Sequence, residues 1–256
     1  MIRLFHVSDL HFGCEDRAAL DWFRARARAE RPDAVIMTGD LTMRARSREF
    51  AAAARWLKSL GLPVTVEAGN HDLPYFDPLA RLLAPYARVR ALERMIETPL
   101  AVKGVTVVPL KTTARAQLRL NWSKGHVSAA ALRRALALVA AARDRAAGEG
   151  EGLILVAAHH PLVEVGTRAH GRTRGGGEAL AALAAAGVHA VLTGHVHDPF
   201  DLPFEAAGRT VRLIGAGTLS QRVRAAPPSF NEIRIEGRRI AVLARRLGEE
   251  DAPPGG

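Results

Sequence analysis

Residues 2–11 read Ile2-Arg3-Leu4-Phe5-His6-Val7-Ser8-Asp9-Leu10-His11, and this stretch decides the fold. A largely apolar run over Ile2–Val7 reads as a strand, and a carboxylate and an imidazole follow just past its end. The same grammar recurs down the chain. Apolar runs at Ala34–Met37, Val64–Val66, Leu153–Ala157 and Val188–Leu192 lead into Gly39-Asp40, Gly69-Asn70-His71-Asp72, Ala158-His159-His160-Pro161 and Gly194-His195-Val196-His197. Helical patterns separate these runs, and strand alternating with helix predicts a parallel sheet with helices packed on its faces. Side chains carried just past the ends of parallel strands converge on one edge of such a sheet.

Working outward, Asp16–Glu30 places Ala19, Leu20, Trp22, Phe23 and Ala27 at helical spacing and ends at Arg31-Pro32. Ser47 stands where a cap belongs for a second helix, with Phe50, Ala54, Trp56, Leu57 and Leu60 on its apolar face and Gly61 as its stop. Asp77–Leu83 reads as a short helix. Met95–Glu97, Leu100–Val102 and Val105–Val108 read as short strands in direct succession, turning at Lys103-Gly104, which predicts a more antiparallel second layer. Thr112–Lys124 is polar and is expected to loop over the site. Ser128–Ala146 is the longest helical pattern, capped by Ser128 and stopped by Gly148, and Glu178–Ala186 is an alanine-rich helix. Arg209–Ile214, Glu232–Ile235 and Ile240–Leu243 close the chain as strands, the last two joined at Gly237-Arg238. One domain over 1–248 and a disordered tail at 249–256 complete the expectation.

Composition narrows the function. The net charge is +10, but only Lys58, Lys103, Lys111 and Lys124 are lysines, and arginine supplies the rest of the 36 basic residues, dispersed along the helices. Dispersed charge reads as a solvated surface, so a nucleic-acid partner is not favoured, while the positive field favours anionic substrates. Cys14 is the single cysteine, which excludes an internal disulfide and a thiolate cluster, and it reads as a small packed side chain. No apolar stretch approaches the ~20 residues needed to cross a bilayer, so membrane insertion is not expected. Met1-Ile2-Arg3-Leu4-Phe5-His6 lacks a signal-peptide pattern, so the expected address is cytoplasmic; a homo-oligomer stays open.

The strand-end residues carry the chemistry. Carboxylate oxygens with several imidazoles suit Mn, Fe, Zn or Co better than Ca or Mg. Asp9 and His11, two apart on an extended chain, would point the same way, and His195 and His197 repeat that arrangement. Asp40 can place one oxygen on each of two ions, and Asn70 can add a neutral oxygen. Such a set suits two divalent ions sharing a carboxylate, an arrangement that hydrolyses phosphate esters. His6 is expected to lie buried under the sheet, and His126, His170 and His189 read as surface residues.

Asp-x-His, Gly-Asp, Gly-Asn-His-Asp, His-His-Pro and Gly-His-x-His, in that order over residues 1–198, resemble the calcineurin-like metallophosphoesterase superfamily. His6-Val7-Ser8-Asp9-Leu10-His11 and Arg31-Pro32-Asp33-Ala34-Val35 are similar to its bacterial cyclic-nucleotide and glycerophosphodiester phosphodiesterase branch. The resemblance implies an α/β fold, a two-layered mixed β-sheet sandwich flanked by helices. It implies two divalent metal ions (Mn, Fe, Zn or Co), one held by Asp9, His11, Asp40 and His197, the other by Asp40, Asn70, His159 and His195. A hydroxide bridging the ions would attack phosphorus in line. His71 would act in catalysis by protonating the leaving group or stabilising the transition state. Asp72 would orient His71 or hold the turn. His160, turned away by strand alternation, would support its neighbour rather than ligate. Arg168, Arg172 and Arg174, on the Gly-rich loop 166–177, would grip the substrate or belong to a solvated loop. Leu162 after Pro161 departs from the family's second proline and leaves the lip of the pocket open to question.

The function expected is hydrolysis of a small phosphate-ester substrate, a phosphodiester before a monoester. A nuclease or a nucleotide-lipid pyrophosphohydrolase on the same site, and a non-catalytic binding module, are the alternatives. A nuclease needs DNA-binding elements for which 256 residues leave little room. A lipid-precursor enzyme would expose a helical apolar lid, and the sequence shows none clearly. A non-catalytic module should lack ligands, whereas every expected one is present.

Overall fold

The computed structural model describes residues 1–97, 102–116, 121–149, 152–167, 173–224 and 226–249. β1 (Ile2–Val7), β2 (Ala34–Met37) and β3 (Val64–Val66) lie parallel, with Leu4 opposite Ala34 and Val35 opposite Val64. The hairpin of β9 (Ser229–Glu236) and β10 (Arg239–Arg246) pairs antiparallel along the other side of β1, giving the order β10-β9-β1-β2-β3. A second sheet is built from β4 (Val105–Pro109), β5 (Leu153–Ala157), β6 (Ala190–Thr193), β7 (Phe200–Ala206) and β8 (Arg209–Gly215). Its order is β4-β5-β6-β8-β7. The sheets face one another across Leu4, Ile36, Leu155, Leu192, Ile214 and Ile233, all buried.

Helices cover both outer faces. α1 (Arg17–Glu30) starts where Asp16 accepts a hydrogen bond from the Ala19 N–H at 3.1 Å, and it buries Leu20, Phe23 and Ala27. With α2 (Ser47–Ser59) and α4 (Ala87–Ile96) it closes a core around Phe5, Trp56, Leu57 and Phe230. Fully burying one such side chain contributes roughly 1.5–3 kcal/mol, so these contacts hold the helices in place. α5 (Ala129–Glu149) and α6 (Gly176–Ala185) cover the second sheet over Val139, Val156, Leu180 and Leu183. Between α2 and α4 lies the short α3 (Pro78–Leu83), capped by Asp77. No helix among the described residues is long and apolar enough to cross a membrane.

Several expectations are corrected here. Ser47 is the first helical residue, and Glu49 caps α2 instead by accepting from the Arg44 and Arg46 N–H groups at 2.8 and 3.2 Å. Met95–Glu97 is not a strand: Val89, Leu92 and Ile96 form the buried stripe of α4, and Met95 faces out. Leu100 lies outside the described residues. The second sheet is not the antiparallel one, since β4, β5, β6 and β8 are parallel and only β7 runs the other way. β7 escaped notice because Pro203 lies within it, and a proline is tolerated only on the edge position that β7 occupies. α5 continues through Gly148 to Glu149. Of the expected tail, 250–256 lies outside the described residues.

Candidate metal centre

β1, β2 and β6 each end in a backbone that crosses into the left-handed region. Asp9 (φ 56°), His11 (45°), Asp40 (54°), His195 (69°) and His197 (61°) all lie there, joined among the described non-glycine residues only by Arg31, Ala45 and Ala207. Such a conformation costs about 1–3 kcal/mol at each position and persists only where the surroundings enforce it. The strain is therefore concentrated on acids and imidazoles where strands of both sheets end. It also corrects the expected geometry: Asp9–His11 and His195–His197 converge through tight turns, not through the alternation of an extended strand.

Two glycines make the convergence possible. A Cβ on Gly69 would stand 2.1 Å from Asp40 Oδ1, and one on Gly194 would stand 1.8 Å from Ser8 Oγ and 2.6 Å from Asp9 Oδ2. Backbone thus packs directly against both carboxylates. The His195 N–H donates to Asp9 Oδ2 at 2.8 Å, and the His71 N–H donates to Asp40 Oδ1 at 2.8 Å. Each carboxylate keeps one oxygen pinned and turns the other inward.

Asp9 Oδ1 is buried and accepts no hydrogen bond, although His197 Nε2 lies 3.0 Å away and His11 Nε2 3.5 Å away. Asp40 Oδ2 sits 3.7 Å from His11 Nε2 and 3.4 Å from His159 Nε2, between two groups of nitrogens. Asn70 Oδ1 is 3.2 Å from His159 Nε2, and the His195 ring centroid is 5.2 Å from that of His159. The tautomers are set from behind: His159 Nδ1–H donates to the Thr38 carbonyl at 2.7 Å, and His197 Nδ1–H to the Arg222 carbonyl at 2.6 Å. Nε2 of each ring is left facing the carboxylates. An orphaned buried carboxylate oxygen amid mixed N and O donors fits divalent transition ions.

The electrostatics agree. Burial would raise Asp9 and Asp40, but His197 beside the first and His159 beside the second hold both carboxyls well below the usual range. Burial would lower His159, yet Asp40 outweighs it and raises this imidazole to about 9. His197 is raised in the same way by Asp9. Burial pulls His195 down to about 3, with the charge on His159 adding to the effect. Protons on imidazoles stand in for the positive charge the carboxylates attract, and a divalent ion would displace them.

The remaining expected residues divide. His71 borders this centre: its Nδ1–H donates to the Met43 carbonyl at 2.8 Å, and its ring centroid is 4.8 Å from that of His11. Asp72 does not reach His71. It accepts from the Leu41, Thr42 and Gly69 N–H groups at 3.2, 2.9 and 2.9 Å, so its contacts match the turn-holding alternative. Burial, with Asp40 nearby, raises its carboxyl to about 7. His160 is not turned away, its ring centroid lying 4.4 Å from that of His195. Both of its nitrogens are engaged elsewhere, 2.9 Å from Thr112 Oγ1 and 2.9 Å from the Ser123 carbonyl. Arg174 is exposed and joins the 125–127 segment through its backbone, while Arg168 and Arg172 lie outside the described residues. His6 is buried, with Nε2 3.0 Å from Thr38 Oγ1.

Sequence reasoning missed Arg222. Its Nη1 lies 3.1 Å from His71 Nε2 and 3.3 Å from His11 Nε2, while its carbonyl orients His197. It follows β8 in a stretch with no metal-ligand spacing, so only the fold brings it here.

The sequence profile of the calcineurin-like phosphoesterase family matches residues 2–199. A glycerophosphodiester phosphodiesterase (GpdQ) of Enterobacter lignolyticus (strain SCF1) is 32% identical over 92 residues, covering 30% of this chain and 33% of that protein. The aligned part thus spans about a third of that relative's length. A dimetal phosphatase from Danio rerio superposes with a TM-score of 0.69 at 14% identity, covering 96% of each chain. The purple acid phosphatase PPD1 of yellow lupin (Lupinus luteus) seeds superposes with a TM-score of 0.66 at 11% identity, covering 98% of this chain and 52% of that one. At these identities the superpositions speak for the fold.

Proposed function

The chain belongs to the calcineurin-like phosphoesterase family, and on that premise we propose that it is a dinuclear-metal phosphodiesterase acting on small-molecule phosphate esters. The observation that carries the reading is Asp40 Oδ2, poised between His11 on one side and His159 on the other. Asp9, His11, Asp40 and His197 would hold one ion, and Asp40, Asn70, His159 and His195 the other. When bound, the ions supply a water-derived nucleophile near neutral pH and neutralise charge on the phosphoryl oxygens.

The protein's own residues do the rest. The backbone N–H groups of His195 and His71 fix the carboxylates so that one oxygen of each faces inward. His71, held through Nδ1 by the Met43 carbonyl, turns Nε2 toward the centre, where it accepts from Arg222 Nη1 at 3.1 Å; once Arg222 moves to a phosphoryl oxygen, Nε2 is free to take a proton from solvent and pass it to the leaving oxygen. Arg222, the cation beside His71, anchors a phosphoryl oxygen. A diester carries one negative charge and needs fewer cationic contacts than a monoester dianion, and among the described residues Arg222 is the arginine that meets the ring nitrogens of the centre. The partial match to a glycerophosphodiester phosphodiesterase supports the same choice. A cytoplasmic address belongs to this reading.

Chelator-stripped enzyme, given back Mn, Zn, Fe(II) or Co singly, is to be assayed on matched aryl mono- and diesters. Metal-dependent hydrolysis with diesters preferred is expected. Hydrolysis untouched by stripping, or a clear preference for monoesters, would contradict the reading.

A further inference from the structure

A cavity of about 830 Å³ opens beside the metal centre, with Asn70 and His71 among the residues lining it. Met43, Pro74, Tyr75, Phe76 and Trp122 belong to the apolar part of its wall, and Arg44, Arg81, Asn121 and Ser123 to the polar part. Among the polar side chains around it, Arg44 is exposed at the rim over Phe76, while Asn121 and Arg81 are turned to the protein itself. Asn121 Oδ1 accepts from the Ser123 N–H and Oγ–H at 2.9 and 2.6 Å. Arg81 donates from Nε to the Arg115 carbonyl at 2.8 Å and from Nη2 to the Ala114 carbonyl at 3.1 Å, with its guanidinium over Trp122. A nucleobase or a sugar seated there would leave its own polar groups poorly matched.

The apolar wall does not stop at the rim. α3, whose first residue Pro78 lines the cavity, has its amphipathicity reversed: Arg81 is 5% exposed, while Leu79, Leu82 and Leu83 are 68%, 49% and 72% exposed. Tyr75 and Phe76 ahead of it are also largely exposed, and Arg44 stacks on Phe76. A helix that hides its arginine and shows its leucines has an apolar face awaiting a ligand, and this face begins at Leu79, directly after Phe76 and Pro78, which line the cavity beside His71. The sequence had shown no clear helical apolar lid; α3 has a short exposed apolar face, which the buried Arg81 masks in the sequence pattern.

We propose that this surface seats a hydrocarbon chain carried by the substrate, so that the enzyme acts on amphiphilic phosphate esters. Resting on the phosphodiesterase reading, the assignment puts the phosphate at the metal centre. The chain passes Tyr75, Phe76 and Trp122 and lies over Leu79, Leu82 and Leu83.

The test uses Mn-loaded enzyme and monoalkyl methylphosphonates with methyl, butyl, octyl and dodecyl chains, each below its micelle concentration. Affinity is read by calorimetry, so leaving-group chemistry plays no part. Affinity is expected to rise roughly fourfold for each added methylene across the middle of the series, the value for full burial of a CH₂ group. In the Leu79→Ser, Leu82→Ser, Leu83→Ser triple variant, and separately in Trp122→Ala, the octyl-to-methyl affinity ratio is expected to fall at least tenfold. A flat series in the parent, with diesters still hydrolysed, would overturn the chain-seating proposal and leave the phosphodiesterase reading standing. No phosphonate binding together with no metal-dependent hydrolysis would remove both. If the triple variant keeps the chain-length dependence but sediments as a smaller species, the face joins copies of the protein and the proposal is overturned.

Discussion

Two carboxylate clusters are strung along β1, and they are built on opposite plans. Opposite Phe5 on β1, buried Glu232 accepts from Arg3 Nε and Arg234 Nε at 2.6 Å each and from Arg245 Nη1 at 2.8 Å. Three guanidiniums close that cluster and hold the Glu232 carboxyl below its ordinary range against the opposing effect of burial. Just past the end of the strand, Asp9 and Asp40 are buried with imidazoles rather than guanidiniums as their cationic neighbours, each held by one backbone N–H, and Asp9 Oδ1 has no hydrogen bond of good geometry. The first cluster brings its own counter-ions. The second is left open toward a cation, and it alone carries the left-handed backbone strain at Asp9, His11 and Asp40.

The largest expected effect comes from breaking the open cluster at its shared member. Asp40→Asn keeps the shape but removes the charge between the two imidazole groups. Loss of even one ion forfeits several kcal/mol of transition-state stabilisation, so kcat/KM should fall on the order of 10³-fold or more. Elemental analysis should show metal lost in parallel. An Asp40→Asn enzyme with full metal content and near-normal turnover would erase the distinction between the clusters.

His71→Ala comes next, and it separates proton transfer from metal holding. Turnover should drop by about 10²–10⁴-fold with metal content unchanged, the loss shrinking for esters with good leaving groups. Metal loss in this variant would move His71 into the metal-holding set.

How much of this was legible beforehand follows from the same contrast. Asp9, Asp40, His159, His195 and His197 stand next to recognisable strands, and the core strands announce themselves by continuous apolar runs such as Ala34–Met37. Where the signal is local, sequence reads well. Arg222 was invisible because its place depends on a loop after β8 returning to His11 and His71, a contact across 211 positions to the former. The apolar face of α3 was hidden because a buried arginine mimics a solvated one on paper. β7 and α4 fell between rules, one interrupted by Pro203 and the other too rich in arginine to look like a packed helix. The partners of Asp72, Leu41, Thr42 and Gly69, come from two separate loops, which no local pattern announces.

The closed cluster offers the control. Glu232→Gln should leave kcat/KM within about twofold, because Glu232 touches nothing at the metal centre. Buried ion pairs cost several kcal/mol to break, but Arg3 and Arg234 are partly solvated, so a loss of about 1–3 kcal/mol in denaturant unfolding is expected. A change in metal content here would show that the clusters are coupled.

The smallest effect sharpens the boundary between them. His6 lies on β1 between the two clusters, and burial pulls it down to about 3 against the attraction of Asp9. The unfolded chain takes up a proton near pH 6.5 that the folded state refuses, so the stability from neutral His6 is complete above that pH and is lost as pH falls from 6.5 toward 3. The contribution is about 1.4 kcal/mol per pH unit. Unfolding of His6→Gln in urea should therefore lose stability less steeply than the parent between pH 6.5 and 4.5. Equal slopes would mean that His6 does not titrate as its burial demands.

Metal stoichiometry tests the central claim most directly. Enzyme stripped with chelator, dialysed against saturating Mn or Zn and freed of excess should carry two ions per chain by elemental analysis, with Asp40→Asn retaining at most one. A parent enzyme that never exceeds one ion per chain at saturation would contradict the account of Asp40 as the shared carboxylate of a two-ion centre.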